Sequence, residues 1–156
     1  MSEIVANIID MYLFRRQAES VEFLLLKRAP DSVIGDTWQS VHGKIEPGET
    51  APQTALRELH EETGLRPLRL WQLETVNTFY VARIDRVLMC PCFAAEVPAD
   101  AAVTLSHEHT DYRWEPPGRA VATFIWPGQR RAVQEILDNI VTPSPAEPHL
   151  RIPIPD

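Results

Sequence analysis

GKIEPGETAPQTALRELHEETGL, residues Gly43 to Leu65, is the stretch that decides how the rest of the chain is read. Its opening, Gly43 to Glu49, holds two glycines and a proline and must turn. Thr50 then supplies a helix N-cap, with Gln53 three residues on to complete a capping box. Pro52 falls in the first turn, where its missing N–H does no harm. Gly64 suits the left-handed position that closes a helix, and Pro67 just beyond makes the stop sharp.

The faces of this helix are unequal. With Glu58 at zero and about 100° per residue, Glu61 falls at about −60° and Glu62 at about +40°. Ala55, Leu59 and Leu56 follow at about +60°, +100° and +160°, an apolar side that fits against a sheet. Glu58 and Glu62 are like charges four apart, which costs a helix a few tenths of a kcal/mol. Glu61 and Glu62 also sit near the C-terminal end, where the helix dipole disfavours negative charge. Helix stability alone would not select such a cluster. A solvated acidic face is one reading. The other is a seat for hard divalent cations, since Mg²⁺ takes carboxylate oxygens, keeps several waters and bridges phosphates.

Outward from the helix, Ile4 to Phe14 and Val21 to Leu26 read as strands, joined by the polar loop Arg15 to Ser20. Residues 29–37 read as a loop, and Trp38 to Val41 as a short strand. Leu68 to Tyr80 and Val87 to Val97 follow as longer strands, and Thr110 to Trp114 as a shorter one. Val133, Ile136, Leu137 and Ile140 form one stripe of a final helix over Gln129 to Ile140. The last 14 residues contain five prolines, which predicts a mobile or draped tail rather than a packed element. Strands, a helix, more strands and a helix give an α+β sheet-and-helix sandwich. One domain over residues 1–141 and a proline-rich tail over 142–156 is the expected division.

The bulk numbers bound the function. The chain has 156 residues, 44% hydrophobic and 24% charged, an ordinary composition for one globular domain. A net charge of −7 argues against nucleic-acid binding, which wants a basic face. It does not exclude a phosphorylated small substrate, because cations can stand between two acidic partners. Neither a membrane span nor a signal peptide is expected, so no membrane partner is, and a cytoplasmic location follows. Cys90 and Cys92 flank Pro91 in a predicted strand and share one face, which suits buried thiols better than a disulfide.

The spacing over Gly43 to Leu65 is Gly-x5-Glu-x7-Arg-Glu-Leu-x-Glu-Glu-x-Gly-Leu, carried by Gly43, Glu49, Arg57, Glu58, Leu59, Glu61, Glu62, Gly64 and Leu65. It resembles the Nudix box at every defined position. A chance match has a probability on the order of 10⁻⁹ per start site, so coincidence is set aside. The resemblance implies a Nudix-type α/β/α sandwich with a mixed sheet, the box forming a loop–helix–loop. It implies that Glu58, Glu61 and Glu62 ligate Mg²⁺ or Mn²⁺, and that Glu49 supports or joins them. Gly43 would allow close backbone approach to substrate or metal. Arg57 would orient the catalytic carboxylate, or serve only as an ion pair to Glu49 or Glu61. Family members place the catalytic base either in the box or on a distant loop. Glu108, within Ser106-His107-Glu108-His109-Thr110, is the distant candidate, with a solvated loop acid as the alternative. His107 and His109 beside it read as surface residues more readily than as ligands.

Outside the box, Trp38 to Val41, Gly48 to Gln53, Glu108-His109 with Tyr112 to Trp114, and Gln129 to Val133 resemble the dihydroneopterin triphosphate and dATP pyrophosphohydrolase branch. The activity so implied is Mg²⁺-dependent hydrolysis of a phosphoanhydride in a nucleoside or pterin triphosphate. Dinucleoside polyphosphates, nucleotide sugars and a non-catalytic nucleotide sensor are the alternatives. Arg28, Lys27 and Lys44 are candidates to grip phosphate. Trp38, Trp114, Phe79 and Tyr80 could stack on a ring or simply fill a core. Tyr80, 16 residues beyond Gly64, resembles the tyrosine of dinucleoside polyphosphate hydrolases. Dimers are frequent in the family, so a homodimer is carried as an expectation.

Overall fold

The computed structural model describes all 156 residues. Nine strands form one mixed sheet: β1 (Glu3–Val5), β2 (Ile8–Arg16), β3 (Val21–Arg28), β4 (Trp38–Gln39), β5 (Val41–Lys44), β6 (Arg69–Val81), β7 (Arg86–Glu96), β8 (His109–Glu115) and β9 (Arg151–Ile152). The longest path runs β4-β3-β2-β7-β6-β9, with β5 also on β2, β8 on β3 and β1 on β7. β2 and β7 are parallel; β2–β3 and β6–β7 are antiparallel. The helices are α1 (Ala51–Thr63), α2 (Pro117–Thr123), α3 (Pro127–Ile136) and α4 (Glu147–Leu150), with a π-helical turn at Leu137–Val141.

The period-two alternation of β2 explains the layering. Ile9, Met11 and Leu13 face one way and join Leu24, Leu26, Val41, Phe93, Ala95, Ala55 and Leu59 beneath α1. Tyr12 and Phe14 face the other way and join Phe23, Leu25, Trp71, Ala132, Val133 and Ile136 beneath α3. Both faces of the sheet are thus covered, an α/β/α sandwich. α1 forms as its sequence predicts. Thr50 accepts from Gln53 N–H, Gln53 returns the bond to Thr50 N–H, and Gly64 takes the left-handed conformation with φ 70°.

Three expectations need correction. The Ile4–Phe14 run is two strands, because it is one residue too long for its partner. Val5 lies opposite Leu88 and Asp10 opposite Cys92, so five steps on one side meet four on the other, and the chain breaks at Ala6-Asn7. α2 forms where no element was expected, burying Ala120, with Phe124 just beyond its end also buried. The proline-rich tail is packed over residues 147–152. Trp71 Nε1 donates to Glu147 at 2.7 Å, Leu150 is buried in the α3-side core, and Ile152 pairs with Leu70 at the sheet edge. The predicted thiols are buried and free. No helix is long and apolar enough to cross a membrane.

Candidate active site

α1 crosses β5 so closely that Gly43 has no room for a side chain. A Cβ built there would lie 2.2 Å from Glu58 Cγ. The glycine is needed because the Glu58 side chain passes directly over it. Glu58 is nearly buried (8% exposed) and Glu62 more so (2%), whereas the side chain of Glu61 is 56% exposed. The arc read from the sequence is therefore graded: two carboxylates turn inward along the sheet and one looks to solvent.

Arg57 holds this end of the helix together. Its Nε and Nη2 donate to the two oxygens of Glu49 at 2.7 and 2.9 Å, and Nη2 also donates to the Lys44 carbonyl at 3.0 Å. Nη1 donates to Glu58 at 2.8 Å and Glu61 at 3.2 Å. The ion pairs to Glu49 and Glu61 are present, and the same guanidinium also holds Glu58. Glu49 is held down to about 2, first by the Arg57 hydrogen bond and then by one from Thr54 Oγ1. Arg57 itself is held firmly protonated, chiefly by the Glu49 bond.

Glu62 is the outlier. Neither of its oxygens has a hydrogen-bond donor of normal geometry, although both are shut off from water. Burial first, then the charge of Glu108 and that of Glu58, pushes its carboxyl up to about 10; the His42 backbone N–H offsets this only slightly. Glu58 is raised as well, again by burial first and against the pull of Arg57. Glu108 is exposed, yet its charge acts on both Glu58 and Glu62. A bulge places it. Lys27 pairs with Asp111 but Arg28 pairs with His109, so one residue is extra and the end of β8 is re-aimed. The Glu108 carbonyl accepts from Ala29 N–H at 3.0 Å, which ties the loop to the end of β3.

Glu108 also lines an open cavity of about 250 Å³, together with Arg28, Asp31, Ser32, Gln39 and His107. Arg28 Nη1 donates to Gln39 Oε1 at 2.8 Å, and Gln39 Nε2 meets His109 Nε2 at 2.8 Å. His109 is buried, not a surface residue as expected, and burial lowers it to about 4, so the ring is neutral. Its link to Arg28 runs through Gln39, a residue the sequence reading had not singled out.

The remaining predicted residues divide. Lys44 is exposed at the end of β5, where its carbonyl serves Arg57. Trp38 is half-buried against the α3-side core, with the Arg113 guanidinium 4.5 Å from its ring centre. Trp114 is stacked by Arg15 at 4.4 Å. Tyr80 stands exposed near the β6–β7 turn, its hydroxyl donating to Asp85 at 2.9 Å. It shares no hydrogen bond with the carboxylates of α1, and the structure does not bring it to them.

A packed helix that buries two carboxylates, with a third carboxylate from a loop beside them, defines a protein with an acidic site at the edge of its sheet. The chain belongs to the Nudix family: the NUDIX domain model matches residues 6–136. It is 31% identical over 128 residues to the dihydroneopterin triphosphate diphosphatase of Escherichia coli, covering 74% of this chain and 83% of that one. It is 38% identical over 97 residues to the asymmetrical bis(5'-nucleosyl)-tetraphosphatase of Rattus norvegicus, covering 61% of this chain and 64% of that one. A Myxococcus xanthus octanoyltransferase is 31% identical over 128 residues, but the chain spans only 35% of its length. Among solved structures, a C. elegans Ap4A hydrolase binary complex superposes with TM-score 0.73 at 23% identity, covering 86% of this chain and 96% of that one. Nudix hydrolases generally use a divalent metal ion, typically Mg²⁺. The residues present fit one: two buried carboxylates, one with no donor, are expensive without a cation between them.

Proposed function

We propose that the chain is an Mg²⁺-dependent hydrolase that cleaves a phosphoanhydride bond in a nucleoside or pterin triphosphate. The observation that carries this is Glu62, buried with no hydrogen bond of normal geometry and close to the carboxylates of Glu58 and Glu108. Glu58, Glu61 and Glu62 would hold Mg²⁺ or Mn²⁺, with Glu49 in support and the Gly43 backbone close by. When bound, such cations neutralise phosphate oxygens and make water a better nucleophile near neutral pH.

The protein's own groups do the rest. Arg57 fixes Glu49 and Glu58 in place before substrate arrives, so little reorganisation accompanies the reaction. Glu108, on a loop outside the helix, would take the proton of an attacking water. Arg28, held by Gln39 and by Ser32, presents positive charge on the cavity wall for a phosphate. Lys44 at the cluster's rim would screen a second one. Tyr80, exposed, and Trp38, half-buried, are kept as ring-binding candidates on the aromatic character of their side chains alone.

The coverage of the E. coli relative supports the triphosphate reading. A second reading, hydrolysis of a dinucleoside polyphosphate, is supported by the higher identity to the rat tetraphosphatase. A purely sensing role is disfavoured because no box carboxylate is missing. The substrate is read as a free small molecule, with no nucleic acid or membrane involved; a cytoplasmic setting and a homodimer belong to the same proposal. The test is a panel of nucleoside, pterin, dinucleoside and sugar phosphates incubated with Mg²⁺, with products weighed by mass spectrometry. Turnover of a triphosphate to monophosphate and pyrophosphate is expected. No turnover of any member would overturn the reading.

A further inference from the structure

On the sheet face away from α1, three neighbouring strands bring an imidazole, a carboxylate and a thiol together. β5 carries His42, β2 carries Asp10 and β7 carries Cys90. His42 lies directly opposite Asp10, and Asp10 lies opposite Cys92, two residues along the same face from Cys90. Tyr12 and Cys92, which share this face, belong to the core under α3, while Ile9, Met11 and Val41 belong to the core under α1. One donor atom from each of Asp10, His42 and Cys90 lies within 4.8 Å of the others. Cys90 is fully buried and Asp10 nearly so, but His42 is half-exposed and opens the group to solvent.

An Asp–His pair beside an inert thiol would satisfy itself. His42 Nδ1 and Asp10 Oδ1 are 2.7 Å apart and share a proton. Such a pair gives no role to the neighbouring polar group, the Tyr12 hydroxyl. That hydroxyl is shut off from water and makes no hydrogen bond of normal geometry, although the Ser40 side chain is near enough to offer a weak one; burial first, then the Asp10 carboxylate, holds it protonated. A buried phenol held only by so weak a bond is poorly satisfied, and a polar group beside it would be a better partner.

We infer that Asp10, His42 and Cys90 form a second cation site, one that takes a borderline-soft divalent ion such as Zn²⁺ or Co²⁺. Nitrogen, oxygen and sulfur donors suit such ions, whereas the α1 cluster offers only oxygen and suits Mg²⁺. Tetrahedral Zn²⁺ with bonds of about 2.0–2.3 Å sets donors roughly 3.3–3.7 Å apart. From 4.8 Å the three groups need to close by at most about 1.5 Å, while the Asp10–His42 pair must open by about half an ångström as the ion replaces the shared proton. The thiol proton is also released on binding. Three protein ligands leave a fourth position for water, which would offer the nearby Tyr12 hydroxyl a better partner.

Cobalt titration of the full chain tests this, with saturating Mg²⁺ present to occupy the carboxylate cluster. One equivalent of Co²⁺ is expected to give a near-ultraviolet sulfur-to-cobalt charge-transfer band, displaced by Zn²⁺. The band should vanish in Cys90→Ser and in His42→Gln, and persist in Cys92→Ser and Glu62→Gln. His42→Gln changes a half-exposed side chain, so it reports on the site even if the buried Cys90→Ser variant fails to fold. Absence of a band, survival of the band in His42→Gln, or its loss in Glu62→Gln alone would overturn the assignment.

Discussion

Replacing Glu62 by Gln should stabilise the metal-free protein, and by an amount that grows with pH. In the fold its carboxyl is pushed up to about 10, chiefly by burial; in the unfolded chain it titrates near its ordinary value of about 4.3. Above that lower value the folded state binds a proton that the unfolded state has lost. Stability therefore falls as pH rises through this window, by at most about 1.4 kcal/mol per unit. Between pH 5.5 and 8 the full effect is about 3 kcal/mol. Water entry and joint titration with Glu58 and Glu108 reduce it, leaving roughly 1–3 kcal/mol. Glutamine keeps the shape and removes the ionisation. The assay is urea unfolding of both proteins in chelator at pH 5.5, 6.5, 7.5 and 8. The gap between the two proteins should widen steadily from pH 5.5, the variant ending more stable, by an added Tm difference of roughly 2–12 °C at pH 8. Added Mg²⁺ should close the gap by stabilising the wild type alone. Parallel stability at every pH would refute the claim that this carboxylate is held in a hostile environment.

Activity should respond in a graded way. Glu61→Gln or Glu62→Gln should cut Mg²⁺-dependent turnover by about 10²-fold or more with the fold intact, as judged by circular dichroism. Glu108→Gln should lower kcat by less than the box changes; no effect would remove Glu108 from the site. Gly43→Ala forces a methyl group into Glu58 and should cost roughly 1–3 kcal/mol together with most of the turnover, read from unfolding and rate assays on one sample. Truncation after Val141 should lower stability by several kcal/mol in urea titration, because Leu150 is withdrawn from the core and Trp71 loses its Glu147 partner.

Local chemistry made α1 legible. Thr50, Gln53 and Gly64 act within a few residues of themselves, and the order of Ala55, Leu59 and Glu58 around the helix states which side meets the sheet. Helical spacing placed three carboxylates on one arc, but it could not say that Glu62 is sealed off while Glu61 faces solvent. That difference depends on how far β5 lies from the helix, which Gly43 sets. The role of Gln39 was hidden for a similar reason, since only the pairing of Leu26 with Gln39 brings it beside Arg28. The tail misled because proline content describes the backbone's reluctance to join secondary structure, not what Leu150 and Ile152 gain by docking. The Asp10–His42–Cys90 group arises from three strands whose order no local pattern states.

The most direct test of the acidic site is a crystal grown with Mn²⁺, examined by anomalous scattering at the manganese edge. The account predicts a peak bounded by Glu58 and Glu62, with Glu61 or Glu108 completing the set. A map without a peak there, at Mn²⁺ concentrations that support turnover, would contradict it.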